Sequence, residues 1–550
     1  MGKTSINKLP ASVTIPALLD EQARIHGARE AVVAGSGAHV QRLSYAALRA
    51  QVRRTAKGLM ALGVARGDHV AILMGNRIEW LLSFLAVQQL GATAVGLNTW
   101  ATPRELAFAL EHADVKCVIA VERFRKADYR AVLDGMQPWT LHFPKLRSVV
   151  WLAAEAGASL PAGAKTAPAS VTASVQTTWD AVIAQGAGID DARIDAAGAA
   201  VQGDDVAVLL YTSGSTAAPK GILLQHRYWI SNSWHIGERQ KITSSDRLWL
   251  AVSLFWSFGS VNAFPNMFSH GACTVLQEHF DAGEALALIE RERCTIFYGT
   301  PNMAQAMTEH PARAQHDLSS LRSGATIGTP EQLMAIVKLG AQSICNIYGL
   351  SETYGNCAVI DADEPLEVRL QSVGQPLPGV TARICDHETG AALPAGEVGE
   401  IRVKGPLFLA YYKEAEKTRA SFDADGFFQT GDLGMLDAEG RLYYRGRLKE
   451  MVKSGGINIA PIEVEEALMR HPEVRTAYVI GIPHPELDEV LAAIVIPKDG
   501  KQPSVDVLTQ FCKQELAAYK VPARFRFVTD AELPLTTTGK VQKMQLHMLL

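Results

Sequence analysis

Hydrophobic and polar residues follow two different spacings along the first part of the chain. Residues 45–62 and 79–90 place apolar side chains three and four positions apart, whereas residues 69–73 and 93–97 form short apolar runs. The first spacing is typical of amphipathic helices and the second of buried strands. Because helices and strands alternate from about residue 43 to 121, this region predicts an α/β sheet.

The pattern weakens after this block and then returns. Residues 152–204 are rich in Ala, Gly, Ser and Thr, which favours a surface excursion. Residues 206–360 predict a second α/β block, and the Gly- and Pro-punctuated residues 372–444 predict a small barrel or a set of hairpins. We therefore expect a large N-terminal domain of two α/β subdomains plus a small β-barrel.

The C-terminal residues form a separate pattern. Pro461 suits the first turn of a helix, and residues 476–482 and 491–496 are typical of strands. A break near residues 445–449 separates them from the preceding region, which predicts a small α+β C-terminal domain. One apolar helical face follows the strands and is made of Leu508, Phe511, Cys512 and Leu516.

Composition and charge argue against several classes of function. The chain of 550 residues is too long for one hydrophobic core, and its net charge of -4 provides no basic field for nucleic acid. Seven cysteines are scattered without a CxxC pair, which argues against a disulfide framework or zinc site and favours a cytoplasmic protein. We find no signal peptide and no apolar run near the ~20 residues of a membrane span, so only peripheral membrane contact stays open.

A candidate phosphate loop follows the predicted strand 206–210. Its sequence, YTSGSTAAPKG at 211–221, contains small hydroxyl residues and glycines and ends with Lys220 and Gly221. Such a loop can direct backbone N–H groups and hydroxyls toward phosphate oxygens, while the lysine adds a positive charge. A flexible Ser/Gly linker is the alternative interpretation of the TSGST segment alone.

Two other loop chemistries do not match the chain. No GxxxxGK[ST] phosphate loop is present, so the nucleotide chemistry need not be γ-phosphoryl transfer. The serine-hydrolase pattern GxSxG is also missing, because Phe255 takes the place of its first glycine.

Four later segments, read together with this loop, show a resemblance. They are NIYGLSET at 346–353, QTGD at 429–432, YRGRLKEMVKSGGINIAPIEVE at 444–465 and PLTTTGK at 534–540. In this order they closely resemble the adenylate-forming, or AMP-binding, superfamily, and within it the acyl-CoA synthetases. The resemblance covers nearly the whole chain. It implies an acid–thiol ligase that converts a carboxylate and ATP to acyl-AMP and pyrophosphate, and then makes acyl-CoA and AMP.

The resemblance also implies a nucleotide site. Glu352 would hold Mg²⁺ and count among the catalytic residues with Thr212, Asp432 would accept both ribose hydroxyls, and Arg447 would meet the ribose or phosphates. The other implied contacts are Ser213, Gly214, Ser215, Thr216 and Lys220 at the phosphates, Gly324, Ala325, Asn346, Tyr348 and Gly349 at the base, and Ser351 at the α-phosphate.

Two lysines would separate the half-reactions. By the resemblance, Lys540 would reach the carboxylate and α-phosphate and stabilise charge during adenylation, and Lys449 would lie at a hinge. The implied domains are 1–446, a hinge at 447–449, and a mobile C-terminal domain at 450–550. After a swing about the hinge, the loop at residues 454–458 would enter the site and form a thin wall of the thiol tunnel. Lys453, Ser454, Gly455 and Gly456 would be cofactor contacts in this region.

An aromatic segment supplies the candidate acyl pocket. Phe255, Trp256 and Phe258 indicate an apolar chamber, and Trp256 stands where related CoA ligases often have histidine. We expect a hydrophobic carboxylate, of medium or long chain, alicyclic or aryl, in keeping with fatty acid metabolism. Two smaller departures from the family pattern are Ala217 in place of glycine and Ser351 in place of threonine.

Three alternatives share part of this evidence. An acyl-AMP ligase that loads a carrier protein would use the same motifs, and a luciferase-like oxygenase would keep the adenylation half. A nucleotide-binding regulator without chemistry would not need Lys540. The expected partners are the carboxylate, ATP and coenzyme A, with no nucleic acid, and a homodimer stays open.

Overall fold

The chain divides into two units, each described here by itself. The computed structural model describes residues 9–35, 40–154, 175–212, 219–454, 457–485, 487–516, 518–535 and 541–550. Unit 1 comprises the described residues of Met1–Leu370, Leu377–Val380 and Gly405–Ala420, and unit 2 those of Gln371–Pro376, Thr381–Lys404 and Ser421–Leu550. This division by compactness does not test the hinge at 447–449, which stays a prediction.

The first sheet of unit 1 has eight strands among the described residues. Six neighbouring strands are parallel and one antiparallel strand lies at each edge. In spatial order they are Ala358–Val359, Ser343–Tyr348, Ser323–Thr326, Ile296–Tyr298, Arg247–Leu250, Cys273–Leu276, Glu30–Ala34 and Gln41–Ser44.

The second sheet of unit 1 also has eight described strands, of which six are parallel. Its two antiparallel pairings lie together at one edge, because Lys220–Gln225 runs opposite to both Val206–Thr212 and Ala410–Tyr411. In spatial order the strands are Ala410–Tyr411, Lys220–Gln225, Val206–Thr212, Thr93–Gly96, His69–Leu73, Val115–Val121, Ser148–Leu152 and Val175–Thr178. A separate hairpin pairs Arg123–Phe124 with Ala127–Asp128.

Unit 2 contains two smaller sheets. The first is antiparallel and orders Thr381–Cys385, Gly399–Lys404, Phe428–Leu436 and Leu442–Arg447. The second orders Ile457–Ile459, Val452–Ser454, Asp488–Pro497 and Val474–His484, with Arg524–Phe527 parallel to Asp488–Pro497.

Helices cover the parallel strands, as the burial of those strands requires. Every residue of Thr93–Gly96 and Cys273–Leu276 is buried, which is typical of strands covered on both faces. In chain order the described α-helices are Ile15–His26, Tyr45–Ala61, Ile78–Gln89, Pro103–His112, Tyr129–Asp134, Trp139–His142, Trp179–Gln185, Asp191–Ala200, His226–Arg239, Phe264–Ser269, Ala282–Glu292, Pro301–Glu309, Pro330–Leu339, Leu366–Gln371, Ala415–Ala420, Pro461–Met469 and Val505–Glu515.

These elements confirm the predicted α/β architecture with a smaller strand region and an α+β C-terminal part. The predicted helix at 45–62 is Tyr45–Ala61, and its Ser44 side chain accepts from the Ala47 N–H. The predicted helix at 461 is also present, as Pro461–Met469. Among the described residues, none of the helices combines the length and the apolarity needed to cross a bilayer.

One interpretation of the sequence was wrong. The Ala- and Thr-rich residues 152–204 do not form only a surface excursion, because Val175–Thr178 pairs with Ser148–Leu152. The helices Trp179–Gln185 and Asp191–Ala200 then begin at Thr178 and Asp190, whose side chains cap them. Alanine-rich helices with little apolar contrast give a weak periodic signal, which explains the error.

Candidate active site

Both ends of the candidate phosphate loop lie on adjacent strands. Val206–Thr212 leads into the loop and Lys220–Gln225 returns from it, with Thr212 opposite Lys220. The side chain of Thr212 and the residues Ser213, Gly214, Ser215 and Thr216 lie outside what the structure describes. The described strands therefore position the loop's two ends, and the Lys220 ammonium lies 5.0 Å from the centre of the Tyr411 ring.

Glu352 lies in the short 3₁₀ turn Ser351–Thr353, which follows the strand Ser343–Tyr348 of the first sheet after two residues. It is 8% exposed, and its Oε1 accepts a hydrogen bond from the Tyr411 hydroxyl at 2.8 Å. Burial and the Glu352 carboxylate raise the pKa of Tyr411, so this hydroxyl stays protonated and donates. The predicted metal ligand is thus a buried carboxylate held by a neutral donor.

The predicted base-binding residues meet on neighbouring strands. Thr326 pairs with Asn346 and Ala325 with Cys345, so Gly324, Ala325 and Asn346 lie side by side. Gly324 has φ 146°, and a side chain there would overlap the Phe297 carbonyl, so only glycine fits. Four further predicted residues follow along the same chain segment, namely Tyr348 at the end of its strand, Gly349, Ser351 and Glu352.

The candidate acyl pocket is an aromatic cluster close to this segment. The Ser351 hydroxyl donates to the Ser257 hydroxyl at 3.0 Å. Ser257 stands between Trp256 and Phe258 in the sequence. Phe255 and Trp256 have ring centres 5.5 Å apart, and Phe258 lies 5.0 Å from the Tyr298 ring. A π-helix, Phe258–Ala263, begins at this point.

Sequence reasoning missed one member of this cluster. The Trp100 ring lies 5.2 Å from Phe255 and 5.1 Å from Trp256, and both contacts are edge-on. Trp100 follows the strand Thr93–Gly96 of the other sheet. An apolar residue after a predicted strand end was the only available signal, because ligand sites of α/β proteins gather at such ends.

In unit 2, Asp432 and Arg447 lie opposite each other on paired strands. The Arg447 Nε is 3.2 Å from Asp432 Oδ1, and the side chains are 47% and 4% exposed. The structure therefore brings together the two unit 2 residues that the resemblance assigns to the ribose.

The predicted hinge residue begins a second group in unit 2. Lys449 lies in the 3₁₀ turn Leu448–Glu450, and Ser454 ends the strand Val452–Ser454. The Lys453 side chain, Gly455, Gly456 and Lys540 lie outside the described residues, so their roles stay predictions.

A buried ion pair near this turn was also missed. Lys543 Nζ lies 2.7 Å from Glu465 Oε1 and 3.4 Å from Glu450 Oε2, and the Val479 N–H donates to Glu465 at 2.7 Å. Burial raises the pKa of Glu465 against the effect of the lysine. Burial would lower the pKa of Lys543, but the two glutamates raise it overall. Glu465 ends the motif segment 444–465 and Lys543 follows the segment 534–540, but neither motif by itself predicts a contact between them.

The donor set around Glu352 fits a cation that arrives with a nucleotide. Within the described residues, no group of three or more His, Cys, Asp or Glu side chains could enclose a metal ion. Mg²⁺ usually binds through one or two carboxylates together with phosphate oxygens and waters. The single buried carboxylate of Glu352, on the loop after a sheet strand, matches that requirement.

Comparisons with known proteins identify the family of the chain. The family model "AMP-binding enzyme" matches residues 19–412, and "AMP-binding enzyme C-terminal domain" matches residues 463–540. The chain is 34% identical over 539 residues to 3-[(3aS,4S,7aS)-7a-methyl-1,5-dioxo-octahydro-1H-inden-4-yl]propanoyl:CoA ligase of Mycobacterium tuberculosis, covering 97% of this chain and 98% of that one.

Two further proteins extend the likeness. The mitochondrial medium-chain acyl-CoA ligase ACSF2 of Bos taurus is 29% identical over 92% of this chain and 83% of its own. The anthranilate CoA ligase AuaEII, solved with anthranoyl-AMP, is similar with a TM-score of 0.82 and 27% identity over 98% of both chains. The use of ATP and coenzyme A expected from the motifs fits this family. The chain belongs to the family of AMP-binding enzymes, as a member of its acyl-CoA synthetase branch.

Proposed function

We propose that this protein is an ATP-dependent carboxylic acid–CoA ligase that acts on hydrophobic acids through an acyl-AMP intermediate. One observation carries the proposal: the buried Glu352 carboxylate and the Lys220 ammonium of the loop's return strand both contact one side chain, Tyr411. A carboxylate that can bind a metal cation and an ammonium that can bind phosphates are thereby held close to one side chain in unit 1.

The first half-reaction forms an acyl phosphate anhydride. One carboxylate oxygen attacks the α-phosphorus of ATP, the new O–P bond forms, and the bond from that phosphorus to pyrophosphate breaks. Lys220 and the loop would stabilise the phosphate charge, and Lys540 would stabilise the charge that develops at the α-phosphate. Mg²⁺ held by Glu352 would neutralise phosphate oxygens.

The second half-reaction transfers the acyl group. The sulfur of coenzyme A attacks the acyl carbon, the C–S bond forms, the C–O bond to AMP breaks, and the thiol proton is released. We assign Lys449 to the hinge and the segment with Lys453, Ser454, Gly455 and Gly456 to the thiol tunnel. The turn Leu448–Glu450 supports this assignment, because it follows the strand that ends at Arg447.

The substrate class follows from the aromatic cluster. Trp100, Phe255, Trp256 and Phe258 present a largely apolar surface next to Ser257, which favours a medium-sized alicyclic, aryl or acyl-chain carboxylate. The names of the Mycobacterium and Bos relatives point to bicyclic and medium-chain acids for those proteins. We place the enzyme in the cytoplasm, where its seven buried cysteine thiols stay reduced.

Carboxylate-dependent ATP–pyrophosphate exchange over a panel of acids tests the proposal. Exchange followed by acyl-CoA formation on addition of coenzyme A is the expected result. Exchange without acyl-CoA formation would indicate that the acyl acceptor is a carrier-protein thiol. No exchange with any acid of the panel would favour the nucleotide-binding regulator. Light scattering on the same preparation decides between a monomer and a homodimer.

Two variants test the assigned lysines. Lys540→Ala should lower exchange roughly 100-fold or more, while preformed acyl-AMP still reacts with coenzyme A. The exposed Lys501→Ala serves as the matched control in the same unit. Lys449→Pro should slow thioester formation more than exchange, and an equal loss of both would remove the hinge role.

A further inference from the structure

A two-residue edge strand contacts both sides of the phosphate-binding region. Ala410–Tyr411 lies antiparallel to Lys220–Gln225, with Tyr411 opposite Ile222. The Tyr412 N–H donates to the Gly221 carbonyl at 2.7 Å, directly beside the loop's last residues. The Phe408 N–H donates to the Glu352 carbonyl at 2.8 Å. Residues 408–412 thus connect the return strand of the loop to the turn that carries Glu352.

The Tyr411 side chain makes the same connection, through its hydroxyl on one side and its ring face on the other. It is 4% exposed, its hydroxyl donates to Glu352 Oε1 at 2.8 Å, and its ring centre lies 5.0 Å from the Lys220 Nζ. The Phe408 ring packs against it at 4.7 Å between centres. Packing and backbone pairing therefore fix the phenol before any ligand binds.

This arrangement keeps two opposite charges available. A neutral hydroxyl satisfies one Glu352 oxygen without cancelling the carboxylate charge, and the second oxygen keeps its lone pairs. The electron-rich face of the Tyr411 ring attracts the Lys220 ammonium but carries no net charge, so the lysine keeps its positive charge. Among the described side chains, Lys220 and Glu352 do not form an ion pair with each other within 4.0 Å, so neither charge neutralises the other.

We propose that Tyr411 is a positioning residue for adenylation. Its hydroxyl orients the Glu352 carboxylate toward the divalent cation carried by ATP, and its ring holds Lys220 toward the phosphates. Partners that orient a metal-binding carboxylate typically change metal affinity by about 10- to 100-fold when removed. The inference rests on the proposed role of Glu352, and it adds a residue outside the sequence motifs that indicated the site.

Tyr411→Phe removes the hydroxyl and keeps the ring. The measurement is ATP binding by isothermal titration calorimetry on the full-length protein, at increasing Mg²⁺ and separately in EDTA. We expect the Mg²⁺ concentration for half-maximal ATP binding to rise roughly tenfold, while ATP affinity in EDTA stays unchanged. In the exchange assay, the Mg²⁺ concentration for half-maximal exchange should rise by a similar factor, and the KM for the acid should stay unchanged.

Tyr412→Phe is the matched control. The Tyr412 hydroxyl donates to the Asp114 carboxylate at 2.9 Å, so this variant removes a phenol–carboxylate hydrogen bond of the same type one residue away. Its Mg²⁺ dependence should equal that of the unmodified protein. Thermal unfolding of both variants shows whether they lose similar stability, which separates orientation of Glu352 from a general loss of structure.

Tyr411→Leu removes the ring as well and should also weaken ATP binding in EDTA, because Lys220 loses its contact. A Tyr411→Phe protein with the Mg²⁺ dependence of Tyr412→Phe would overturn the inference and leave the ligase proposal intact. An unmodified protein whose ATP binding ignores Mg²⁺ would overturn the role of Glu352 and the inference together.

Discussion

Two buried glutamates, one in each unit, are held by opposite kinds of partner. Glu352 in unit 1 is 8% exposed and accepts from the neutral Tyr411 hydroxyl. Glu465 in unit 2 is 6% exposed and lies 2.7 Å from the Lys543 ammonium. Similar burial therefore coexists with different local charge: the Glu465 carboxylate faces a cation of the chain, whereas the contact to Glu352 comes from an uncharged group.

The difference is the one expected between the cation-binding carboxylate that we propose for Glu352 and a structural carboxylate at Glu465. A buried charge is costly unless it is compensated, so an uncompensated carboxylate is poised to attract a cation from solution. A carboxylate that is already paired with a lysine has little affinity left for a cation from solution. Glu465 instead connects the helix Pro461–Met469 to Lys543 and, through Lys543, to the turn Leu448–Glu450.

Removing the Lys543 ammonium should give the largest effect, which is a loss of stability in unit 2. Lys543→Met leaves Glu465 buried without its counter-charge, and we expect unit 2 to lose about 4 kcal/mol of unfolding free energy. Hydrogen exchange of the strand Val474–His484 measures this locally. Exposed Lys501→Met is the control, and Lys543→Met combined with Glu465→Leu should recover most of the loss. Unchanged exchange in the single variant would contradict a structural ion pair.

Neutralising the other glutamate should give a smaller effect of a different kind. Glu352→Gln can still accept from Tyr411, so thermal stability should change little, while ATP–pyrophosphate exchange should fall roughly 100-fold because the charge for the cation is lost. Glu465→Gln is the comparison variant. If Glu352→Gln lowered stability as much as Glu465→Gln, the distinction between the two carboxylates would fail.

A third carboxylate lies between the two cases and should give the smallest effect. The Asp432 side chain is 4% exposed, but its partner Arg447 is 47% exposed, so the pair is only partly screened from water. Asp432→Asn should raise the KM for ATP about tenfold with a smaller change in kcat, as expected for a ribose contact made throughout the reaction. Steady-state kinetics with saturating acid checks this, and an unchanged KM would argue against the ribose role.

Local pattern and family motifs predicted the framework of the fold. The helical spacing at residues 45–62 identified a helix, and the continuous apolar run at 69–73 identified a buried strand. The motifs around Asn346 and Glu352 indicated residues that the strands do bring together. Such signals lie within a few neighbouring residues, where sequence alone is informative.

Contacts between distant segments could not be predicted in this way. The hydrogen bond from Tyr411 to Glu352 spans 59 residues, and the contact of Trp100 with Trp256 joins segments from two sheets. Each depends on strand order, which a single sequence does not specify. Residues 175–200 were misinterpreted for another reason, since alanine-rich helices carry little amphipathic contrast.

The edge strand Ala410–Tyr411 has a consequence for synthesis of the protein. Every other described strand of its sheet lies before residue 226, so the sheet acquires its last strand only after nearly two hundred further residues have been translated. Until then the strand Lys220–Gln225 has an unpaired edge, which is a site for association with other nascent chains. Fragments intended to contain this complete sheet should therefore end after Ala420 rather than before residue 405.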